Sequence, residues 1–333
     1  MADAFVSLVR ADQLDALGVA ATKSGRPVHL LEKDVWVVWA VDALFSSPFC
    51  EHLVFKGGTS LSKGYDIIER FSEDVDVTYD VRQLLPEFAA ENPMPATNSQ
   101  AKKWSDAIKQ RLPAWVAKEI VALLEAHAAK TGAKVAITAE GDKAFVAYDL
   151  DAKANEYVAR RVTLEFGARS TGEPVETKQI SCDAAPLLPQ LEFPTANPRL
   201  MLPKRTFWEK ATAVHVYCGN GDVGDRHSRH WHDLVRLDEA GYAMEAIADR
   251  ALAKEIAEFK SRFFREKDRK GNPIDYMAAV TGKLQLVPDA DVRKVLEEDY
   301  KKMAGEGILL SDAEPFDKLM KKCADLEKRI NQV

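Results

Sequence analysis

The chain has 333 residues, 46% hydrophobic and 29% charged, with a formal net charge of −6. Those proportions are ordinary for a soluble globular protein with room for two or more domains. No stretch approaches the roughly 20 apolar residues of a membrane helix, so no membrane partner is expected, and the acidic balance excludes a uniformly basic nucleic-acid surface while leaving local basic clusters open.

Cys50, Cys182, Cys218 and Cys323 lie far apart with no Cys-x-x-Cys pair, against a zinc ribbon or a disulfide framework. The opening MADAFVSLVRADQLD has acids and no long apolar core, so no secretory signal is expected. A reducing cytoplasm is the simplest setting.

In chain order, Phe5, Leu8, Val9, Leu14 and Leu17 recur at helical spacing over 4–23, and Gly25-Arg26-Pro27 breaks the pattern. A strongly apolar helix is expected over 29–46, with Glu32-Lys33-Asp34 in its early turn, as a buried packing helix. Leu53–Phe55 reads as a short buried strand. Residues 60–71 read as a helix with Leu61, Tyr65 and Ile68 inward, and 72–79 as a strand.

The stretch 55–77, FKGGTSLSKGYDIIERFSEDVDV, carries the chemistry. Side chains on a strand alternate faces, so Asp74 and Asp76 point one way while Val75 and Val77 enter a core. Two carboxylates on a rigid strand suit Mg²⁺, a hard cation that shares its oxygen ligands with substrate phosphates. Gly57-Gly58-Thr59-Ser60 supplies backbone N–H groups at a helix start, where phosphate binds readily. Ser72, two residues before Asp74, is expected on the carboxylate face. The stretch is not a P-loop, because Lys63 lies between Ser62 and Gly64 instead of between a glycine and a hydroxyl residue.

Residues 86–98 read as a loop, and 100–130 as a long helix that Pro113 can kink. Strands follow at about 133–139, 144–150 and 158–167, with a further one at 176–183. In the third of these Val162, Leu164 and Phe166 share one face and Thr163 and Glu165 the other. Prolines 186, 189, 194, 198 and 203 mark 184–203 as a linker. The expected organisation is a catalytic domain over 1–183, this linker, and a helical domain over 204–333. Helices are expected at 205–217, 226–237, 242–264, 288–304 and 313–331. The run His227-x-x-His230-x-His232 lacks the i,i+4 spacing of a helical zinc pair, and no Gly-x-Ser-x-Gly elbow is present. Lys260 to Lys270 mixes basic residues with aromatics, as nucleic-acid contacts do, but acids dilute it.

The Gly-Gly-Thr/Ser turn followed by Ser-x-Asp-x-Asp on a strand resembles the nucleotidyltransferase fold of the DNA polymerase β type. More narrowly, it resembles the AbiEii/AbiGii toxin family of toxin–antitoxin systems. Four blocks carry the likeness, at 56–77, 162–167, 205–215 and 229–237. The resemblance implies an α+β fold: a small mixed sheet flanked by helices, with a C-terminal helical domain. It implies a third carboxylate beside the first two, for which Glu165 is the candidate and the Asp149–Asp151 pair a rival. By the same resemblance Lys210 contacts nucleotide phosphates, Asp233 completes the site, and the Glu-Lys-Asp helix offers Lys33 to a phosphate.

The expected site is therefore Asp74, Asp76 and Glu165 on Mg²⁺ or Mn²⁺. Gly57, Gly58, Thr59, Ser60 and Lys210 lie on a nucleoside triphosphate, with Asp233 and Ser72 in support. The implied activity is nucleotidyl transfer to an RNA acceptor such as the 3′ end of tRNA, blocking translation, with an AbiEi-like antitoxin as partner. A small-molecule or protein-hydroxyl acceptor, and a non-catalytic nucleotide-binding module, stay open as alternatives.

Overall fold

The computed structural model describes residues 3–72, 74–148, 160–305, 309 and 313–332. It resolves into two compact units. One comprises Met1–Gly64, Glu73–Pro93 and Trp104–Met201; the other comprises Tyr65–Ser72, Met94–Lys103 and Leu202–Val333.

The first unit is built on a mixed sheet. Its strands are β1 (Leu53–Lys56), β2 (Asp74–Tyr79), β3 (Ala136–Glu140), β4 (Lys143–Ala147), β5 (Arg161–Gly167), β6 (Val175–Thr177) and β7 (Arg199–Met201). Across the sheet their order is β3-β4-β5-β2-β1-β7-β6. The β2–β5 and β1–β7 pairs are parallel and the others antiparallel. Val75, Val77, Val162, Leu164, Ala144 and Val146 are fully buried, so one face of the central strands is core. Each fully buried Val or Leu contributes about 1.5–3 kcal/mol against exposure.

Helices α1 (Arg10–Ser24), α2 (Val28–Phe45) and α3 (Gly57–Lys63) precede the strand that carries the acids. Helix α2 is buried almost throughout. Its Trp36 stacks on Tyr148, and Trp39 donates to Thr131 Oγ1 at 3.1 Å. The long helix expected over 100–130 is α4 (Asn98–Trp115), a π-helical turn at Val116–Ile120 containing no proline, and α5 (Val121–Thr131), with Pro113 inside α4. Trp115 stacks on Tyr79 of β2 at 4.1 Å and meets Phe166 of β5 edge-on, covering the apolar face.

Several expectations change. The helix predicted for 60–71 begins at Gly57 and stops at Lys63. Asp66 then takes a positive φ of 53°, and 65–72 belongs to the second unit. Of the expected stripe Leu61 and Ile68 are buried, and Tyr65 is half-buried. The strand begins at Asp74, so Ser72 precedes it. The Pro-rich 184–203, read as a linker, contributes β7, whose Leu200 pairs with Phe55 of β1. The rival pair Asp149–Asp151 lies outside the described residues.

The second unit is helical: α6 (Pro203–Asn220), α7 (Ser228–Glu239), α8 (Tyr242–Ala248), α9 (Arg250–Phe263), α10 (Tyr276–Val280), α11 (Ala290–Gly305) and α12 (Phe316–Asn331). The single helix expected over 242–264 is two, because Asp249 leaves helical geometry and caps α9 by accepting the Leu252 N–H at 3.1 Å. Buried Trp208 and Trp231 anchor the packing through their indole N–H groups, which donate to the carbonyls of Ala246 and Leu286 at 2.9 and 2.7 Å.

Candidate active site

The register of the sheet decides how the acids stand. Asp76 is paired with Glu165 and Asp74 with Thr163 across the parallel β2–β5 ladder. Register partners share a face, and neighbouring strands lie about 4.8 Å apart. Asp74, Asp76 and Glu165 therefore occupy one face, all half-buried, opposite the apolar core. The rung runs on at both ends. Glu165 is paired with Lys143 of β4, and Asp76 with Lys56 of β1. One line across four strands thus reads Lys143, Glu165, Asp76, Lys56.

Lys143 Nζ donates to Glu165 Oε1 at 2.5 Å. That hydrogen bond, more than the opposing effect of burial, holds the Lys143 ammonium above the usual lysine range. Among the described residues, no three His, Cys, Asp or Glu side chains converge closely enough to ligate one ion. Glu165 shares the face of Asp74 and Asp76 but turns to the lysine.

The Gly-Gly turn sits directly over these acids. Gly57 has φ +82°, and a Cβ there would collide with the Asp76 carboxylate. Only glycine gives that backbone conformation while leaving the carboxylate its room. The turn's hydroxyls face inward. Thr59 Oγ1 donates to the Asp74 carbonyl at 2.5 Å and Ser60 Oγ to that of Gly57 at 2.9 Å, and both residues are buried with Gly58. These hydroxyls thus fasten α3 to β2 and shape the turn. Hard oxygen donors on an accessible face, beside a turn that a Cβ would fill, fit a divalent cation of the Mg²⁺ type.

An ionic cluster around buried Asp34 braces this turn. Lys63, at the end of α3, lies 2.5 Å from Asp34 of α2 and 2.7 Å from Asp183. Asp34 also accepts the backbone N–H of Asp183 at 2.7 Å, and burial pushes its carboxyl above the usual range against the pull of Lys63. Asp34 is thus an anchor for the Gly-Gly helix. Its neighbour Lys33 is buried as well.

In the second unit Asp233 of α7 is fully buried and takes two cations. Arg70 donates to its two oxygens at 2.7 and 2.8 Å, a bidentate pair, and Lys210 of α6 lies 2.8 Å from Oδ2. Burial works to raise this carboxyl's pKa, but Arg70, Lys210 and a hydrogen bond from His232 outweigh it and hold it well below the usual range. Burial pulls Lys210 down from the ordinary lysine value, against Asp233, while Arg70 and Arg229 add to the lowering. Arg70 and Lys210 thus meet on one buried carboxylate. The resemblance put Asp233 and Lys210 in one site; Arg70, 163 positions from Asp233 in the chain, carries no local sequence signal of this partner. Ser72 is half-buried in the same Tyr65–Ser72 segment of this unit. Of the histidines, His227 Nδ1 accepts the Gly224 N–H at 3.0 Å and its ring stacks on Tyr217, while His232 lies 3.4 Å from Asp233.

Residues 39–322 match the family model for the nucleotidyl transferase AbiEii toxin of type IV toxin–antitoxin systems. The chain belongs to the AbiEii family. It is accordingly a nucleotidyltransferase and a type IV toxin, and membership implies a nucleoside triphosphate substrate and an antitoxin partner. Among solved structures, the AbiEii-family chain is similar to JHP933 from Helicobacter pylori, at 16% identity, covering 92% of this chain and 93% of that one with a TM-score of 0.41. It is also similar to MenT4, a nucleotidyltransferase toxin from Mycobacterium tuberculosis H37Rv, at 14% identity, covering 94% and 97% with a TM-score of 0.41. No curated protein matches it by sequence. Among the described residues, no helix of this AbiEii-family chain is long and apolar enough to cross a membrane.

Proposed function

We propose that this toxin transfers a nucleoside monophosphate from a nucleoside triphosphate to an RNA hydroxyl, the 3′ end of a tRNA, in a Mg²⁺- or Mn²⁺-dependent reaction that blocks translation in the cytoplasm. The observation that carries this reading is the shared sheet face of Asp74, Asp76 and Glu165 beside the Gly57 turn. Asp74 and Asp76 hold the divalent ion. When bound, such an ion supplies positive charge to the attacking and leaving oxygens. Glu165 accepts the proton of the attacking hydroxyl. The backbone N–H groups at Gly57 and Gly58 take the phosphates, with Thr59 and Ser60 fixing the turn. Lys210 steadies the developing charge of the leaving pyrophosphate, Asp233 orients Lys210, and Ser72 supports the phosphates.

Exposed Arg265, Lys267 and Lys270, and the Lys260 ammonium 4.8 Å from the Phe264 ring, support an RNA acceptor over a small one. An AbiEi-like antitoxin is the expected regulator. Incubating the protein with total RNA and each α-labelled triphosphate in turn tests the reading. Label should enter RNA of tRNA length and resist protease. Label found only on protein or on a small molecule would redirect the acceptor to the alternatives, and no label with any triphosphate would contradict transfer itself.

A further inference from the structure

The acid row has a feature the transfer reaction does not require. Each of its two central carboxylates has a lysine as its outer neighbour on the same rung: Lys143 beside Glu165 and Lys56 beside Asp76. Like charges directly opposite each other on a sheet destabilise it. Glu165 and Asp76 are such a pair. Without a bound cation, something else must offset their repulsion. Lys143 is already doing so, at 2.5 Å from Glu165.

We propose that Lys143 is the built-in counter-ion of Glu165, and that it must release Glu165 before that carboxylate can join Asp74 and Asp76 on a divalent ion. The inference rests on the reading of those acids as the ion site. Three observations support exchange in place of a permanent pair. The partners are 42% and 39% exposed, so water competes with the bond and the pair is weak. Lys143 is the first residue of β4, immediately after the tight Gly141–Asp142 turn that pairs Glu140 with Lys143, so its aliphatic stem can swing away at the turn end of the strand without disturbing the ladder. The only change Glu165 itself needs is a side-chain rotation, because the register already sets its backbone beside Asp76. Ion binding and the Lys143–Glu165 pair are then mutually exclusive, and Lys143 sets the ion concentration at which the site assembles.

The test is direct binding of Mn²⁺ to the full chain without nucleotide, followed by electron paramagnetic resonance, for wild type, K143Q, K143R and D76N. Thermal melts with and without Mg²⁺ accompany it. K143Q is expected to bind Mn²⁺ more tightly than wild type, by up to about five-fold, the worth of a half-exposed ion pair. It should also melt lower than wild type without the ion and gain more on adding Mg²⁺. K143R should behave as wild type. Equal or weaker Mn²⁺ binding by K143Q, while wild type binds and D76N does not, would overturn the counter-ion role and leave the ion site standing. Failure of wild type and K143Q alike to bind would overturn the ion site and this inference together.

Discussion

Replacing Asp76 by asparagine should lower nucleotidyl transfer by about 10²–10³-fold, the range seen when one electrostatic stabiliser of a transition state is removed, while leaving the protein at least as stable as wild type. The two halves of that result come from the same rung. Asp76 stands at the centre of the row, paired with Glu165 on one side and Lys56 on the other, and its carboxylate fills the space over Gly57. Asparagine preserves that volume. It removes a charge that repels Glu165 and that a metal site needs. A purely structural Asp76 would give the opposite outcome: transfer retained, or lost only in proportion to unfolding. Labelled-nucleotide transfer read alongside a thermal melt distinguishes them.

Asp233 behaves differently, because it is buried and holds two cations. Asp233→Asn should destabilise the protein by about 3–5 kcal/mol, the effect of breaking a buried pair and leaving its partners uncompensated. Arg70 is 3% and Lys210 8% exposed, so water cannot take the carboxylate's place. The pH dependence follows from linkage. The folded-state pKa of Asp233 is depressed far below the ordinary 3.8. Its contribution is fully present above the unfolded value and is lost as pH falls through the folded one. Wild type should therefore lose this increment only under strongly acidic conditions, and the difference in stability between wild type and D233N should shrink below about pH 4. Lys210→Met separates the two roles of the cluster. The bidentate Arg70–Asp233 pair survives it, and a buried cation is removed, so stability should change little while kcat/KM for the triphosphate falls. Denaturant titration across pH for each variant, with transfer assays at neutral pH, checks both expectations.

Local patterning made the acid strand legible. The alternation of Asp74 and Asp76 with Val75 and Val77, and of Thr163 and Glu165 with Val162, Leu164 and Phe166, predicts the faces that the sheet displays. The apolar stripe Phe207, Ala211, Val214 likewise predicts α6, and all three residues are fully buried. What stayed hidden was relational. Lys143, Glu165, Asp76 and Lys56 come from four strands, and nothing local in the sequence encodes the register that lines them up. The end of α3 at Lys63 reflects tertiary override of a helical pattern, since Arg70 is held on Asp233 and Lys63 on Asp34 and Asp183. The break at Asp249 was readable in principle, because an aspartate three residues before an N–H it can accept is a cap signal; apolar residues spaced on both sides of it concealed the stop. Thr59 and Ser60 show the limit of reading roles from residue type. Hydroxyls beside a phosphate-binding turn suggest ligand contacts, yet both donate to backbone carbonyls.

The proposed reaction needs one divalent ion on the shared face of β2 and β5. Diffraction from crystals soaked with Mn²⁺ and a non-hydrolysable triphosphate, recorded at the manganese edge, tests it most directly. An anomalous peak is expected within coordination distance of Asp74 and Asp76, with Glu165 turned from Lys143 toward it. A peak elsewhere, or a triphosphate bound with the Lys143–Glu165 pair intact and no ion on this face, would contradict it.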